Sequence, residues 1–505
     1  MGSTFSLLGR DFEVNPMSAL LTILGLWALR GIFKTVRLLM TPSFFPQFRT
    51  AFQPLGLPGS FLPTTSWTAG LDWNWHTRRA RQSPLPPILV GPQAIWTSNI
   101  EVARQVITGS HKTSFYKPAW ASQALLIWGM NLVASDGQMW RKHRRVFGPA
   151  FNSELYKLVW EETTRTYKDM IQTDGWNTKD VVDVPVAQNL TVKVLAFMVI
   201  ASCGFGFESS WATPASTDGL LYLPFASFTE ARMARDRLAA FMQAQIAERK
   251  VDVAAGSTRA DAFTMLVKAN QDESNKYQLD DEELIGNIFV LMFAGHETTA
   301  ATLAATLGFM AIHDDIQEEV LAQIISVVGL KGEPQLEDYP KLDKVLAIFY
   351  EALRMFPPAS MLIREATEDT ILTVPNPPGE EGSQSVPISK GTQIVLDMVG
   401  AQYNPRYFEN PAEYRPSRWY GLPAESELFT AFSVGARACI GRKFAALEAT
   451  SFLTLLLRDW KIVPLLRDGE TKEAWGARMK DARMVMTLGV ATDIPVRFER
   501  RTHTG

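Results

Sequence analysis

The chain has 505 residues, 50 Lys and Arg against 53 Asp and Glu, a formal net charge of −3 and 46% hydrophobic residues. That balance excludes disorder as the main state and offers no polybasic composition for nucleic acid. Two cysteines, Cys203 and Cys439, exclude a disulfide scaffold and a multi-cysteine zinc or iron–sulfur site, so a cofactor held through sulfur must use a single cysteine.

The first predicted element is the apolar run Met17–Leu29, MSALLTILGLWAL. Extended to about Val14–Phe33, it reaches the roughly 20 residues that span a bilayer. Lys34 and Arg37 follow it and Arg10, Asp11 and Glu13 precede it. This flank predicts a single anchor within residues 1–40 and a cytosolic body. Prolines and glycines from Pro54 to Pro63 predict a linker over 41–65, followed by one large domain over 66–505. Helical spacing is expected over Ser98–Thr108, Gln138–Phe147, Val182–Cys203, Arg232–Lys250, Asp280–Ile312 and Leu342–Met355. Leu284–Ala294 is apolar nearly all round, which places that long helix in the interior. The C-terminal TLGVATDIPVRFERR predicts strands.

The chemical centre is the segment Phe432-Ser-Val-Gly435-Ala-Arg437-Ala-Cys439-Ile-Gly441-Arg442. Gly435 lets the backbone turn tightly or approach a flat ligand. Helical spacing resumes at Lys443, so Cys439 sits at or just before a helix N-terminus, where orphan amides and the dipole favour a thiolate. Arg437 and Arg442 add positive charge, and Phe432 shields the sulfur from water. A shielded thiolate suits a haem iron as axial ligand. The segment resembles the haem-binding signature of the cytochrome P450 family, FxxGxRxCxG, with every fixed position present.

Further motifs support the resemblance. Glu351-Ala-Leu-Arg354 is similar to the family's ExxR, and Pro416-Ser-Arg418-Trp419 to its PxRx segment. The resemblance implies a buried triad of Glu351, Arg354 and Arg418 that supports the core. Ala294-Gly-His-Glu297-Thr298 interrupts the apolar helix and resembles the oxygen-binding motif (A/G)Gx(D/E)T. Gly295 lets another group approach the helix, and Thr298 reaches the carbonyl four residues back. The implied role of Thr298 and Glu297 is proton delivery, Thr298 holding water and Glu297 relaying from solvent. Trp140-Arg-Lys-His-Arg144 matches WxxxR, which implies that Trp140 and Arg144 bind a haem propionate, with Arg437 and Arg364 as further partners. Lys142, Arg145, Arg442 and Lys443 cluster near these segments and imply a basic face for an acidic reductase.

The resemblance covers most of the chain. It implies a mostly α fold with small β-sheets, the cytochrome P450 fold, behind an N-terminal membrane anchor helix. It implies a monooxygenase of the endoplasmic reticulum membrane that binds haem b and O2 and takes electrons from NADPH through NADPH–cytochrome P450 reductase. The substrate is expected to be small and lipophilic, such as a terpenoid of specialised metabolism, since the body resembles fungal members. The span Phe207–Arg232, where the family carries a roof over the substrate pocket, is short by several helical turns. Two other readings stand beside this one: a catalytically silent haem-binding membrane protein with a truncated lid, and an isomerase or dehydratase that uses the haem without external electrons.

Overall fold

The computed structural model describes residues 3–7, 10–14, 16–40, 75, 94–107, 114–185, 193–208, 210–212, 228–272, 276–376, 380–422, 430–484, 487–490 and 494–502. They belong to two units, Met1–Gln93 and Ala94–Gly505. In the first, β1 (Ser3–Leu7) pairs antiparallel with β2 (Arg10–Val14), and α1 (Pro16–Met40) follows. Val14 thus closes a strand, and the apolar helix starts at Pro16, a residue suited to a first helical position. Leu20, Leu21, Ile23, Leu24, Leu26, Leu29, Ile32 and Phe33 of α1 are all exposed. The linker expected over 41–65 lies outside the described residues.

The second unit is mostly helical. Its helices are α2 (Ile100–Ile107), α3 (Gly137–Phe147), α4 (Ser153–Thr173), α5 (Lys193–Phe205), α6 (Phe228–Ala254), α7 (Ala262–Gln271), α8 (Asp281–Ile312), α9 (Asp314–Val328), α10 (Asp343–Met355), α11 (Met398–Gln402), α12 (Arg442–Asp459) and α13 (Lys472–Met479). A mixed sheet has the order β3 (Ala94–Thr97), β9 (Gln393–Asp397), β6 (Met361–Ala366), β4 (Phe115–Tyr116), with only β3 and β9 parallel. A second sheet joins β10 (Trp460–Pro464), β13 (Val496–Arg500) and β5 (Val181–Val184). Two antiparallel pairs complete the strands, β7 (Thr370–Pro375) with β8 (Ser383–Ile388), and β11 (Ala482–Met484) with β12 (Leu488–Val490).

The helix expected over Val182–Cys203 is a strand and a helix. Val181–Val184 alternates exposed and buried residues and pairs with Val496–Glu499, the period of a half-buried strand. The described helix is Lys193–Phe205. The short Phe207–Arg232 span lies largely outside the described residues, which resume at Phe228 in α6.

The long helix α8 is the axis of the body. Asp280 caps it: its carboxylate accepts from the Glu283 N–H at 2.8 Å, and the Glu283 carboxylate accepts from the Asp280 N–H at 3.0 Å, a reciprocal capping box. Leu284–Met292 and Thr299–Ala311 are buried. Near its start, a Cβ added at Gly286 would meet the Met130 carbonyl oxygen at 2.6 Å and that of Gly129 at 2.7 Å. The segment before α3 therefore lies directly on the helix backbone. Gly286→Ala is expected to destabilise the protein by about 1–3 kcal/mol. Urea unfolding checks this, with a lowered midpoint at unchanged slope as the expected result.

Candidate active site

The cysteine segment is a strained turn leading into α12. Ser433 and Gly435 both have left-handed backbones, with φ of 67° and 66°. Gly435 bears that at no steric cost, whereas Ser433 stores strain. The turn closes through the Cys439 N–H, which donates to the Phe432 carbonyl at 2.8 Å, and the Ala438 N–H, which donates to that of Gly435 at 3.0 Å. Gly441 caps α12, and a Cβ added there would stand 3.9 Å from the Cys439 sulfur. The Phe432 ring packs edge-on against Tyr350 at 6.1 Å, with the Arg442 guanidinium 5.7 Å from its centroid. Cys439 itself is exposed. The protein packed around the sulfur nevertheless desolvates it and pushes its thiol above the ordinary value, against the Gly441 N–H and the charges of Arg144 and Arg442, which favour the thiolate. Cys203 differs: it is fully buried on α5 and its thiol is driven well up by burial, so it is an inert core residue.

Beside the turn lies a cationic cluster. The Arg437 guanidinium stacks on the Trp140 ring at 4.4 Å and donates to the Ser135 carbonyl at 2.9 Å and to the Asp136 carboxylate. Burial lowers it to about 10, with Asp136 opposing and Arg364 assisting. Arg364, on β6, is 6% exposed, donates to the Ile363 carbonyl at 2.8 Å and is also lowered by burial. Arg144 lies a helical turn beyond Trp140 and interacts electrostatically with Cys439. The structure therefore gathers Cys439, Phe432, Gly435, Arg437, Trp140, Arg144 and Arg364 from three separated segments. Lys117 and Asp136 belong to the same cluster and stand in no motif. A sequence reader has only the Asp136-Gly137 helix start as a hint, and Asp136 makes no side-chain cap to its own helix.

Glu297 and Thr298 form a second subsite on α8. Ala294 is exposed and Phe293 and Gly295–Thr298 are partly accessible, although the helix is buried on either side. The Thr298 hydroxyl donates to the Ala294 carbonyl at 2.8 Å, the bond expected from spacing. The group that approaches at Gly295 is Ile200 of α5: a Cβ added there would meet its Cδ1 at 2.8 Å. The glycine thus serves helix packing. The Glu297 carboxylate accepts from the Thr487 hydroxyl at 3.3 Å, at the foot of β12. No sequence pattern links Thr487 to Glu297. The hydrogen bonds of this subsite run to its own helix and to β12.

The Glu351 network supports the turn from below. Arg354 donates twice to its carboxylate, at 2.9 and 2.8 Å, and Arg418 once at 3.0 Å. The Trp419 indole adds a donor at 2.8 Å and the Arg415 N–H one at 3.0 Å.

The residues fit the expected haem b. An accessible sulfur flanked by cationic groups and a backbone N–H suits a metal-bound thiolate. Lys117, Arg364 and Arg437 around the single carboxylate of Asp136 give an excess of positive charge that suits the two porphyrin carboxylates. The exposed Gly435–Ala436 stretch beside the cysteine is bare enough for a flat ring to lie on.

Comparison with known proteins agrees. The family model Cytochrome P450 matches residues 207–483, more than half the chain. Cytochrome P450 monooxygenase 124 of Postia placenta is 34% identical over 425 residues, covering 78% of this chain and 80% of that protein. Cyclooctat-9-en-7-ol 5-monooxygenase of Streptomyces melanosporofaciens is 26% identical, covering 75% and 83%. A zebrafish cytochrome P450 solved with progesterone superposes with a TM-score of 0.64 at 21% identity, covering 82% of this chain and 95% of that one, a likeness of fold. The chain belongs to the cytochrome P450 family and is a haem-dependent monooxygenase.

Proposed function

We propose that the protein oxidises a small lipophilic substrate, a terpenoid or similar specialised metabolite, with Cys439 as the axial ligand of the haem iron. The observation that carries this reading is the accessible Cys439 sulfur set between the Gly441 N–H, Arg144 and Arg442. The bound haem supplies O2 activation, one oxygen atom entering a C–H or C=C bond of the substrate and the other leaving as water. Trp140, Arg144, Arg364 and Arg437 hold the propionates.

Thr298 and Glu297 carry protons. With its hydrogen committed to the Ala294 carbonyl, the Thr298 oxygen presents its lone pairs, ready to accept from a water. Glu297, held by Thr487, is the acid that resupplies that water from solvent. The aromatic series Trp128, Phe289, Phe293, with centroids 5.5 and 5.9 Å apart, leads to this stretch and gives an apolar wall that suits a lipophilic substrate.

Electrons come from NADPH through NADPH–cytochrome P450 reductase. The basic docking face is built from exposed Arg145 and Lys443 together with Arg442 and Lys142, the last of which is also paired with Glu283 at 2.5 Å. The exposed apolar helix α1, 25 residues and about 37 Å long, anchors the chain in the endoplasmic reticulum membrane with the catalytic unit in the cytosol.

The test is turnover of a terpenoid panel by membranes carrying the protein and reductase. NADPH-dependent product with one added oxygen supports the reading. Conversion without NADPH points to an isomerase or dehydratase, and a haem spectrum that no substrate perturbs points to a silent protein. Thr298→Ala is expected to lower product per NADPH by about 10²-fold while NADPH consumption persists as hydrogen peroxide, with Thr298→Ser restoring coupling.

A further inference from the structure

A cavity of about 610 Å³ lies between α5, α6 and α8, within the roughly 300–1,000 Å³ typical of small-molecule sites. Phe197 and Ile200 of α5, Leu238 and Met242 of α6 and Met292 of α8 build its apolar wall. None of the residues assigned above to haem or to proton delivery borders it. Ile200 is the residue that packs on Gly295, and the Phe197 ring stands edge-on to that of His296 at 6.0 Å. Two side chains of α5 thus separate the cavity from the Gly295–His296 stretch of α8.

One charged side chain enters this apolar wall. Arg249 of α6 is 1% exposed and borders the cavity. Its Nη2 donates to the Phe205 carbonyl at 2.8 Å, and the guanidinium lies over the Phe263 ring at 5.7 Å. Glu248 at 3.7 Å and Asp252 at 3.5 Å both meet Nη1 and are themselves accessible to water. The buried Nε has no acceptor among the described residues. An N–H buried in that state costs free energy until an oxygen reaches it. Glu208 and Glu248 also border the cavity. A further carboxylate is therefore repelled there, and a neutral oxygen is the fitting acceptor.

We propose that this cavity is a second ligand site, distinct from the haem pocket, and that it takes a neutral lipophilic molecule carrying one carbonyl or hydroxyl oxygen. The oxygen accepts from Arg249, and the hydrocarbon body lies against the wall of α5, α6 and α8. Burial of that body supplies most of the affinity, and the single oxygen orients it. A hydrocarbon of the same shape fills the wall and leaves the Arg249 N–H unmet, so the site discriminates against it.

The experiment uses the full-length holoprotein with its iron capped by clotrimazole, whose nitrogen-ligand spectrum shows that the haem pocket is taken. Equilibrium dialysis then measures the binding of nootkatone, a sesquiterpene ketone, and of valencene, the hydrocarbon with the same skeleton. About one equivalent of nootkatone is expected to bind, roughly tenfold more tightly than valencene. Arg249→Met is expected to remove that preference and leave valencene binding unchanged. Leu238→Trp fills the cavity from a half-buried position on α6 and leaves Arg249 in place. It is expected to abolish binding of both probes. Haem content and the azole spectrum show whether each variant is folded. If Arg249→Met is not, the two probes on wild type and on Leu238→Trp decide. Nootkatone that binds only in the absence of the azole belongs to the haem pocket and overturns the proposal. Unchanged nootkatone binding to folded Leu238→Trp, or no binding to wild type, overturns it as well. Equal binding of the two probes to wild type overturns the role of Arg249 and with it the ligand class.

Discussion

Replacing Cys439 with alanine is expected to abolish the red-shifted, thiolate-type Soret band of the reduced, carbon monoxide-bound protein, whereas replacing Cys203 with alanine is expected to leave it in place. The two thiols differ in what surrounds them. Around Cys203 burial dominates, with the carboxylates of Glu162, Glu448 and Asp261 adding to it, so that thiol stays neutral and packed. Around Cys439 burial is opposed by a backbone N–H and two arginines. The iron of a bound haem would complete the balance, since a coordinating thiol gives up its proton outright. Cys439→Ser supplies a harder oxygen ligand that does not donate electron density as sulfur does. It is therefore expected to retain some haem with a Soret band lacking the thiolate shift, and to lose monooxygenase turnover. Difference spectra of membranes from the three variants check this. A thiolate band that survives Cys439→Ala, or vanishes with Cys203→Ala, assigns the ligand to the wrong cysteine.

The chemistry was readable in the sequence because its donors lie on short stretches. The cysteine turn lies within ten residues, and Glu351 with Arg354 and Trp140 with Arg144 each fall within about one helical turn, where spacing alone fixes which side chains meet. The all-round apolar character of Leu284–Ala294 likewise marked α8 as a core helix. What could not be read depends on pairing between distant segments. Lys117 reaches Arg364 only through the register of β4 on β6, and Thr487 reaches Glu297 only because β12 packs on α8. Gly295 looks like part of a polar motif, yet its neighbour is Ile200, brought by α5. Val182–Cys203 misled for a similar reason. The alternation of an edge strand is too brief over four residues to stand out at the head of a longer apolar run, and only pairing with Val496–Glu499 separates Val181–Val184 from the helix.

The largest expected loss of stability comes from Arg354, and the conservative Arg354→Lys is expected to fail almost as badly as Arg354→Met. Arg354 and Glu351 are both fully buried. Besides its two bonds to Glu351, the guanidinium donates to the carbonyls of Gln402 at 2.8 Å, Pro411 at 2.9 Å and Glu413 at 3.2 Å. One planar group thus ties α10 to the C-terminal end of α11 and to the segment that leads to Arg415 and Arg418. A lysine ammonium has three donors on a single atom and cannot serve acceptors spread around a fork. Methionine fills the space but leaves the Glu351 carboxylate with Arg418, Trp419 and one backbone N–H, and strands three carbonyls. Breaking a buried pair in this way costs about 3–5 kcal/mol, a large share of the roughly 5–15 kcal/mol that holds a folded protein. The Trp419 indole, bonded to the same carboxylate at 2.8 Å, is one of the fluorophores that report the change. Urea unfolding followed by tryptophan emission is expected to show both variants with early midpoints, and haem is expected to be lost along with the segment that precedes the cysteine turn. A wild-type midpoint for Arg354→Lys means that charge alone suffices there and that the fork geometry carries no weight.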